Sequence, residues 1–142
     1  MKVKGLDGRT YTWSFAGRSD DGPGGPARSG LHVSVRDFLR TIYPVDRIME
    51  EVGLPGSNGL RLDFYLPLRR LAIEAHGQQH YRYVMHFHGT MMGFLRSRER
   101  DQKKRDWCSI NGIDLVELPF SEKPDDWLVR MNSCGREGAS DV

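Results

Sequence analysis

The chain has 142 residues, of which 38% are hydrophobic, so it can bury one core and is most simply a single domain. Its formal net charge of +2 does not by itself indicate a nucleic-acid partner. No apolar run reaches the roughly 18 residues that cross a bilayer, and the N-terminus has no signal-peptide core. Two cysteines are too few for a disulfide framework or a cysteine-based zinc site. We therefore expect a reduced, cytoplasmic protein with no membrane partner.

The first third of the chain predicts a hairpin, a loop and a helix. KVKGLDGRTYTW, residues 2–13, is typical of a hairpin, because Asp7-Gly8 is a favoured two-residue turn. Residues 16–30 are rich in Gly, Pro, Ser and Asp, which indicates a flexible loop. Apolar residues recur at helical spacing from Leu31 to Tyr43, which predicts an amphipathic helix.

The remaining elements predict an α/β layer with a mixed sheet. They are strands at 47–54, 60–66 and 71–77, a helix at 91–110 capped by Asn111-Gly112, a strand at 113–120 and a short helix around Trp127. The side chains expected in the core of this second half are Trp107, Ile110, Leu115 and Leu118. The chain thus divides into a hairpin with a flexible loop (1–30), a core (31–130) and a flexible tail (131–142).

Two carboxylates lie inside apolar segments that are typical of buried strands. Asp63 is in LRLDFYL and Glu74 is in LAIEAHG, and a carboxylate there is costly unless a cation meets it. The cation could be Arg61 or Arg98, or it could be a divalent metal ion. His76 shares a strand face with Glu74. Such a group could hold an ion of the Mg²⁺ type and direct a water at a phosphodiester.

The order of these motifs carries a family resemblance. An acid in LDFYLP is followed by a turn, IEAHGQQHY, the basic helix RERDQKKRDWC and NGIDLVELPF. This pattern resembles the PD-(D/E)XK nuclease superfamily over roughly residues 31–120. More closely, it is similar to phage and bacterial endonucleases related to the very-short-patch-repair endonuclease and to EDxHD-type phage homing endonucleases. The resemblance implies a restriction-endonuclease-like core, a four-stranded mixed sheet flanked by helices, and a Mg²⁺ or Mn²⁺ cofactor.

The resemblance also assigns roles to residues. Asp63 and Glu74 match the two motif acids and would hold the metal. His76 stands where the usual member has lysine, and it would position or deprotonate the attacking water. Gln79 would assist catalysis, and His80 would support the substrate. The histidine in place of lysine indicates either a distinct branch of active nucleases or a lost activity.

Two further features bear on this assignment. Many family members place an acid on the first helix, and here Asp37 is the only acid within that helix. The segment 96–105 has six cations against two acids, a local net charge of +4, which is suited to DNA phosphates. The residues predicted to bind DNA are Arg69, Arg70, His80, Arg96, Arg98, Arg100, Lys103 and Lys104. Asp101 would either touch the active site or balance Arg98 and Arg105.

The sequence therefore predicts a metal-dependent DNA endonuclease, a hydrolase of nicking, homing or repair type that works in the host cytoplasm if it is phage-encoded. It would nick one strand as a monomer and cut both strands only as a homodimer or in two events. The alternatives are an inactive DNA-binding or recombination accessory protein and a phage structural or host-interaction protein. A zinc site at His80, His86 and His88 lacks cysteine partners and matches no common spacing. Cys108 is expected to be a buried hydrophobe.

Overall fold

The structure is a computed structural model that describes residues 1–15, 18–19, 30–77 and 90–140, with side chains throughout except at 18–19 and 134–140. Within these ranges the strands are β1 (Lys2–Lys4), β2 (Thr10–Thr12), β3 (Arg18–Ser19), β4 (Met49–Gly53), β5 (Arg61–Leu66), β6 (Leu71–His76) and β7 (Asp114–Pro119). The helices are α1 (Gly30–Ile42), α2 (Met91–Ile110) and α3 (Pro124–Ser140), and a 3-10 turn spans Pro67–Arg69.

The strands form two sheets. β1 and β2 make the predicted antiparallel hairpin, with Gly8 at a φ of 80° in its turn. The larger sheet has the order β3-β4-β5-β6-β7, antiparallel as far as β6 and parallel between β6 and β7. Parallel neighbours need a long crossover, and the segment that contains α2 provides it. The predicted mixed sheet is therefore confirmed, with β3 as an additional short edge strand.

Each face of the large sheet carries its own apolar cluster. The hairpin and α2 cover one face, where Trp13 packs edge-on against Trp107 with ring centroids 5.0 Å apart. α1 and α3 cover the other face, where Phe38 and Trp127 meet at 5.5 Å. The sheet is thus buried on both sides, which explains why β5 and β6 consist mainly of apolar residues.

Three predictions about the elements need correction. The loop predicted at 16–30 contains β3, because Arg18 and Ser19 pair with the edge of β4. Ile110 is 52% exposed and not in the core, because it lies in the last turn of α2 beyond the packed Trp107. The last helix continues to Ser140, although its two glycines each lower helix propensity by about 1 kcal/mol. The other predicted elements are confirmed within two residues of their ends.

A buried ion pair holds α1 against the sheet. Glu50 on β4 is 4% exposed, and both its oxygens accept hydrogen bonds from Arg36 on α1 at 2.8–3.2 Å. His32 Nε2 lies 2.7 Å from Oε1 of the same carboxylate, and its ring stacks on Phe64. This packing leaves Asp37 on the exposed side of α1.

None of the helices in the described ranges combines the length and apolar character that a membrane span requires.

Glu50→Ala would remove the buried carboxylate that pairs with the guanidinium of Arg36 and the ring of His32. Removing one partner of a buried pair costs about 3–5 kcal/mol, so we expect the free energy of unfolding in urea to fall by about that amount. Asp37→Ala on the same helix is the matched control and should change it by less than about 0.5 kcal/mol. Equal effects of the two substitutions would contradict a stabilising role for the Glu50 pair.

Candidate active site

Two carboxylates stand between β5 and β6. The ladder between the two strands ends at the pair Phe64 and Ile73, and Asp63 and Glu74 are the next residues on β5 and β6. The amide of Asp63 donates to Glu74 Oε2 at 2.9 Å, and the amide of Ala75 donates to Asp63 Oδ2 at 2.8 Å. Each acid therefore accepts a backbone hydrogen bond from the other's strand, which fixes both carboxylates at this point of the sheet.

The cation that meets these acids comes from α2. Lys104 Nζ donates to Glu74 Oε1 at 2.6 Å, and the Glu74 side chain is 3% exposed. The alternative that Arg61 or Arg98 balances the acids is wrong, since Lys104 occupies that place. Lys104 was predicted only as a DNA contact, because its partner lies 30 positions earlier in the chain.

Burial shifts the pKa values of Glu74 and Lys104. Desolvation and the neighbouring Asp63 carboxylate raise the pKa of Glu74 well above 4.5, and Lys104 only partly offsets this rise. Burial acts to lower the pKa of Lys104, but the charge of Glu74 outweighs that effect and the net shift is upward. The charge of Lys104 therefore does not fully offset the effect of burial on Glu74.

A histidine and a third carboxylate lie on the same side of β6. His76 is 2% exposed at the end of that strand, two residues beyond Glu74. Glu117 on β7 is the register partner of Glu74, and its Oε2 lies 3.3 Å from His76 Nδ1. Arg105 on α2 donates to both oxygens of Glu117. The proximity of Glu117 to His76 was not predicted, because it depends on the parallel register of β6 and β7.

Asp101 also faces the sheet. It is buried on α2, and its charge raises the pKa of Lys104 and acts in the same direction on Glu117. Both alternatives for Asp101, a place near the acids and a balance to the cations, are compatible with this position. Cys108, one turn beyond Lys104, is buried as predicted, and desolvation raises the pKa of its thiol to about 12, which disfavours a nucleophilic role.

The predicted DNA-binding cations of α2 point in two directions. Lys104 turns inward to the acids, whereas the exposed members are Arg96, Arg98, Arg100 and Lys103. Arg98 lies over the ring of Phe94 at 5.7 Å. Arg100 and Lys103 are within four residues of Lys104, which corresponds to about 6 Å along the helix. Exposed positive charge thus lies about one turn from the acid pair.

The structure does not bring the other predicted residues to this site. Arg69 donates to both oxygens of Asp46, and Arg70 donates to the carbonyl of Asn111. The two arginines precede the first residue of β6, whereas His76 is the last residue of that strand. Asp37 lies on α1, on the other face of the sheet from α2. Gln79, His80, His86 and His88 lie outside the described residues.

The side chains at this site can be compared with the ligands that a metal ion requires. Across the described ranges, no group of three or more His, Cys, Asp or Glu residues is arranged to hold one. Zinc sites in proteins need at least three such ligands, whereas Mg²⁺ keeps several waters and commonly takes only one or two carboxylates. Glu74 is buried and Asp63 is half-buried beside it, and the two offer carboxylate oxygens of the kind that an ion of the Mg²⁺ type takes.

Proteins of three iridoviruses are similar to this chain. Uncharacterized protein 307L of Invertebrate iridescent virus 6 is 37% identical over 71 residues, which are 50% of this chain and 36% of the relative. Uncharacterized protein 033L of Invertebrate iridescent virus 3 is 30% identical over 124 residues, 82% of this chain and 62% of the relative. Uncharacterized protein 094L of Frog virus 3 (isolate Goorha) is 40% identical over 75 residues, 52% of this chain and 48% of the relative.

The chain spans between about a third and two thirds of the length of these relatives. No family model and no solved structure matches it. The relatives are described only as uncharacterized, so the function has to be argued from the site.

The raised pKa of Glu74 predicts a stability that depends on pH. The folded chain binds the proton of the Glu74 carboxyl more tightly than the unfolded chain does. The protonated carboxyl therefore favours the folded state fully below pH 4.5, and this contribution is lost as the pH rises through the pKa of Glu74 in the folded chain. Glu74→Gln cannot ionise, so we expect it to be more stable than wild type at neutral pH. As the pH rises, the free energy of unfolding of this variant should decrease less steeply than that of wild type. The two slopes should differ by up to about 1.4 kcal/mol per pH unit. Urea unfolding at several pH values measures both effects.

Glu122→Gln is the control for this measurement. Arg130 pairs with Glu122 on the surface, and this hydrogen bond lowers the pKa of the carboxyl, so the sign is opposite. Its replacement should not stabilise the chain at neutral pH. A Glu74→Gln variant that is less stable than wild type at neutral pH would show that Lys104 outweighs the burial of Glu74.

Proposed function

We propose that this chain is a divalent-metal-dependent DNA endonuclease built on a restriction-endonuclease-like core. The observation that carries the proposal is the pairing of Asp63 with Glu74 across β5 and β6, with Lys104 bonded to Glu74. A buried carboxylate with a half-buried one beside it and an ammonium group in contact form a costly arrangement for stability alone. They are suited to the charges of phosphodiester hydrolysis, which needs a metal ion and a cation beside the phosphate.

The proposed ligands are the carboxylates of Asp63 and Glu74, with Mg²⁺ or Mn²⁺ as the ion. When bound, the ion would supply positive charge to the phosphoryl group and make a water molecule more nucleophilic. Its charge would also favour the ionised form of Glu74, whose pKa is raised in its absence.

The residues of this chain then have separate tasks in the hydrolysis. Water attacks phosphorus, its proton passes to the ring of His76, and the bond from phosphorus to the leaving oxygen breaks. Lys104 keeps its ammonium group beside Glu74, where it stabilises the negative charge that develops on the phosphoryl oxygens. The leaving oxygen takes its proton from solvent.

The contact with Lys104 also bears on the inactive accessory protein. The argument for that alternative is that β6 has His76 where the resemblance leads one to expect lysine, whereas the two acids argue against it. An ammonium group lies at 2.6 Å from the second acid, delivered by α2 in place of the strand. This ammonium group could supply the positive charge that the strand lysine gives in the family, which supports the proposal of an active nuclease over that of a lost activity.

DNA would bind along the exposed side of α2. Arg96 and Arg100 are four residues apart and so share a face of the helix, and Lys103 follows one turn later. A duplex presents one phosphate charge about every 1.7 Å along its axis, so a short cationic stripe can meet several phosphates. Such contacts place the backbone at the acids and select no base sequence.

Cleavage of supercoiled and branched DNA with Mg²⁺ or Mn²⁺ tests the proposed activity. We expect Asp63→Asn and Glu74→Gln to abolish cleavage and Lys104→Met to lower kcat by about 10²–10³-fold, because one electrostatic donor is lost. Asp37→Asn is the matched control and should cut like wild type, since Asp37 is exposed on the opposite face. Undiminished cutting by all three site variants would refute the assignment.

Calorimetric titration with Mn²⁺ alone separates a nuclease from an inactive fold. Wild type should bind the ion, and Asp63→Asn should not. A wild-type chain that binds no Mn²⁺ would contradict the proposed ligand set even if DNA still binds.

The slope of DNA affinity against salt tests the binding surface. We expect Arg100→Ala and Lys103→Ala each to weaken binding of a short duplex and to reduce the slope of log Kobs against log salt by about 0.9. Arg69→Ala removes a cation that is paired with Asp46 and lies away from the acids. It should leave the slope unchanged. The same loss for all three substitutions would indicate diffuse attraction in place of a defined surface.

A further inference from the structure

The side-chain amide of Asn111 joins the N-terminal hairpin to the end of α2. Asn111 is the C-cap of α2, and its Oδ1 accepts a hydrogen bond from the backbone amide of Lys4 at 2.7 Å. Its Nδ2 donates to the carbonyl of Lys4 and to the carbonyl of Trp107, both at 2.9 Å. The carboxamide thus pairs with both backbone groups of Lys4 as a neighbouring strand would, although the two residues are 107 positions apart in the chain.

A glycine follows Asn111, and the two residues together are prone to deamidation. Asparagine is a chemically labile residue, and the glycine after it has no side chain to hinder the approach of its backbone nitrogen. The nitrogen of Gly112 attacks Cγ of Asn111, the bond from Cγ to Nδ2 breaks, and ammonia leaves with the proton of the Gly112 amide. Water then opens the cyclic imide at either carbonyl and yields aspartate or isoaspartate.

The docked hairpin opposes this reaction. Its backbone at Lys4, together with the carbonyl of Trp107, holds the carboxamide of Asn111 through the three hydrogen bonds. The amide of Gly112 in turn donates to the carbonyl of Ser109 at 3.2 Å. Attack on Cγ therefore requires both reacting groups to leave their partners, and for the carboxamide this means that the hairpin first opens locally.

The product of deamidation does not fit the same place. An ionised carboxylate only accepts hydrogen bonds, whereas Nδ2 of Asn111 donates two. With aspartate at this position, the carbonyls of Lys4 and Trp107 would lose their donor and face a negative charge. Isoaspartate would also add a carbon atom to the main chain between the helix and β7, which displaces the cap from the hairpin.

We propose that Asn111 is a deamidation site that the docked hairpin protects, and that its conversion to aspartate prevents the hairpin from docking again. The hairpin covers one face of the large sheet, where Trp13 packs against Trp107 and Tyr65. The modification is thus a one-way switch that leaves part of this apolar cluster uncovered. It needs only water as a reactant and does not depend on the proposed nuclease activity.

A second Asn-Gly pair in the chain provides an internal control. Asn58 and Gly59 are exposed in the loop between β4 and β5. Peptide mass spectrometry of the full chain, after incubation at mildly alkaline pH, measures deamidation at both asparagines. We expect Asn111 to react about 10²-fold more slowly than Asn58, because three hydrogen bonds of ordinary strength shift an opening equilibrium by about that factor. Equal rates at the two positions in wild type would overturn the proposed protection.

Gly5→Ala loosens the hairpin and leaves both reacting residues unchanged. A Cβ at position 5 would lie 2.7 Å from the Cα of Gly56, so the hairpin has to shift away from that loop. We expect the deamidation rate at Asn111 to rise toward the rate at Asn58. Gly30→Ala is the matched control, because a Cβ there meets nothing within 4 Å, and it should leave the rate unchanged. A rate at Asn111 that Gly5→Ala does not alter contradicts protection by the hairpin.

Asn111→Asp tests whether the product prevents docking, and it is the second variant if Gly5→Ala does not fold. Hydrogen exchange at the amide of Lys4 reports docking, because this amide donates to Asn111 in the docked hairpin. We expect the exchange to be about 10²-fold faster in Asn111→Asp than in wild type, as the same hydrogen bonds are lost. Asn58→Asp adds the same charge to an exposed loop and should not change it. Exchange at Lys4 that is as slow in Asn111→Asp as in wild type would refute the switch.

Discussion

The end of the sheet near β5 and β6 depends on one requirement, which is that a buried carboxylate beside a second carboxylate must have positive charge close to it. Each of Asp63 and Glu74 accepts a backbone amide from the other's strand, which holds both carboxylates in place. The charge must therefore come to them, and Lys104 on α2 brings it. The crossover helix is placed by this ion pair as well as by the burial of Trp107 against the hairpin.

This requirement explains the composition of α2. The buried side chains of its first two thirds are Phe94 and Asp101, with Cys108 following at the same spacing of seven residues. Charged residues flank this line, and Lys104 and Arg105 are close enough to the sheet to pair with acids of β6 and β7. The helix therefore packs with an inner face that is partly ionic. Its outer cations, one turn away, remain exposed.

The sequence allowed the positions of the acids to be predicted but not their partners. Asp63 and Glu74 were placed on adjacent strands because both lie in short apolar runs separated by a turn, and that signal is local. Six cations lie on α2, and the rotation of the helix about its axis decides which of them faces the sheet. This rotation cannot be predicted from the local sequence pattern. Glu117 was not considered for the same reason, since its distance from His76 is set by the register of two parallel strands joined through a long crossover.

The relocation of the ammonium group also changes what β6 can do. Electrostatic stabilisation depends on where a charge lies and not on the backbone that carries it, so a lysine on α2 can serve the acids as well as one on the strand. In the proposed nuclease, position 76 is then available for a group that exchanges protons near neutral pH, which a lysine beside two anions would do poorly because they raise its pKa. On the neighbouring strand, Glu117 lies 3.3 Å from the ring of His76. The lysine on the helix, the histidine on the strand and the acid on the next strand are therefore linked features of one arrangement.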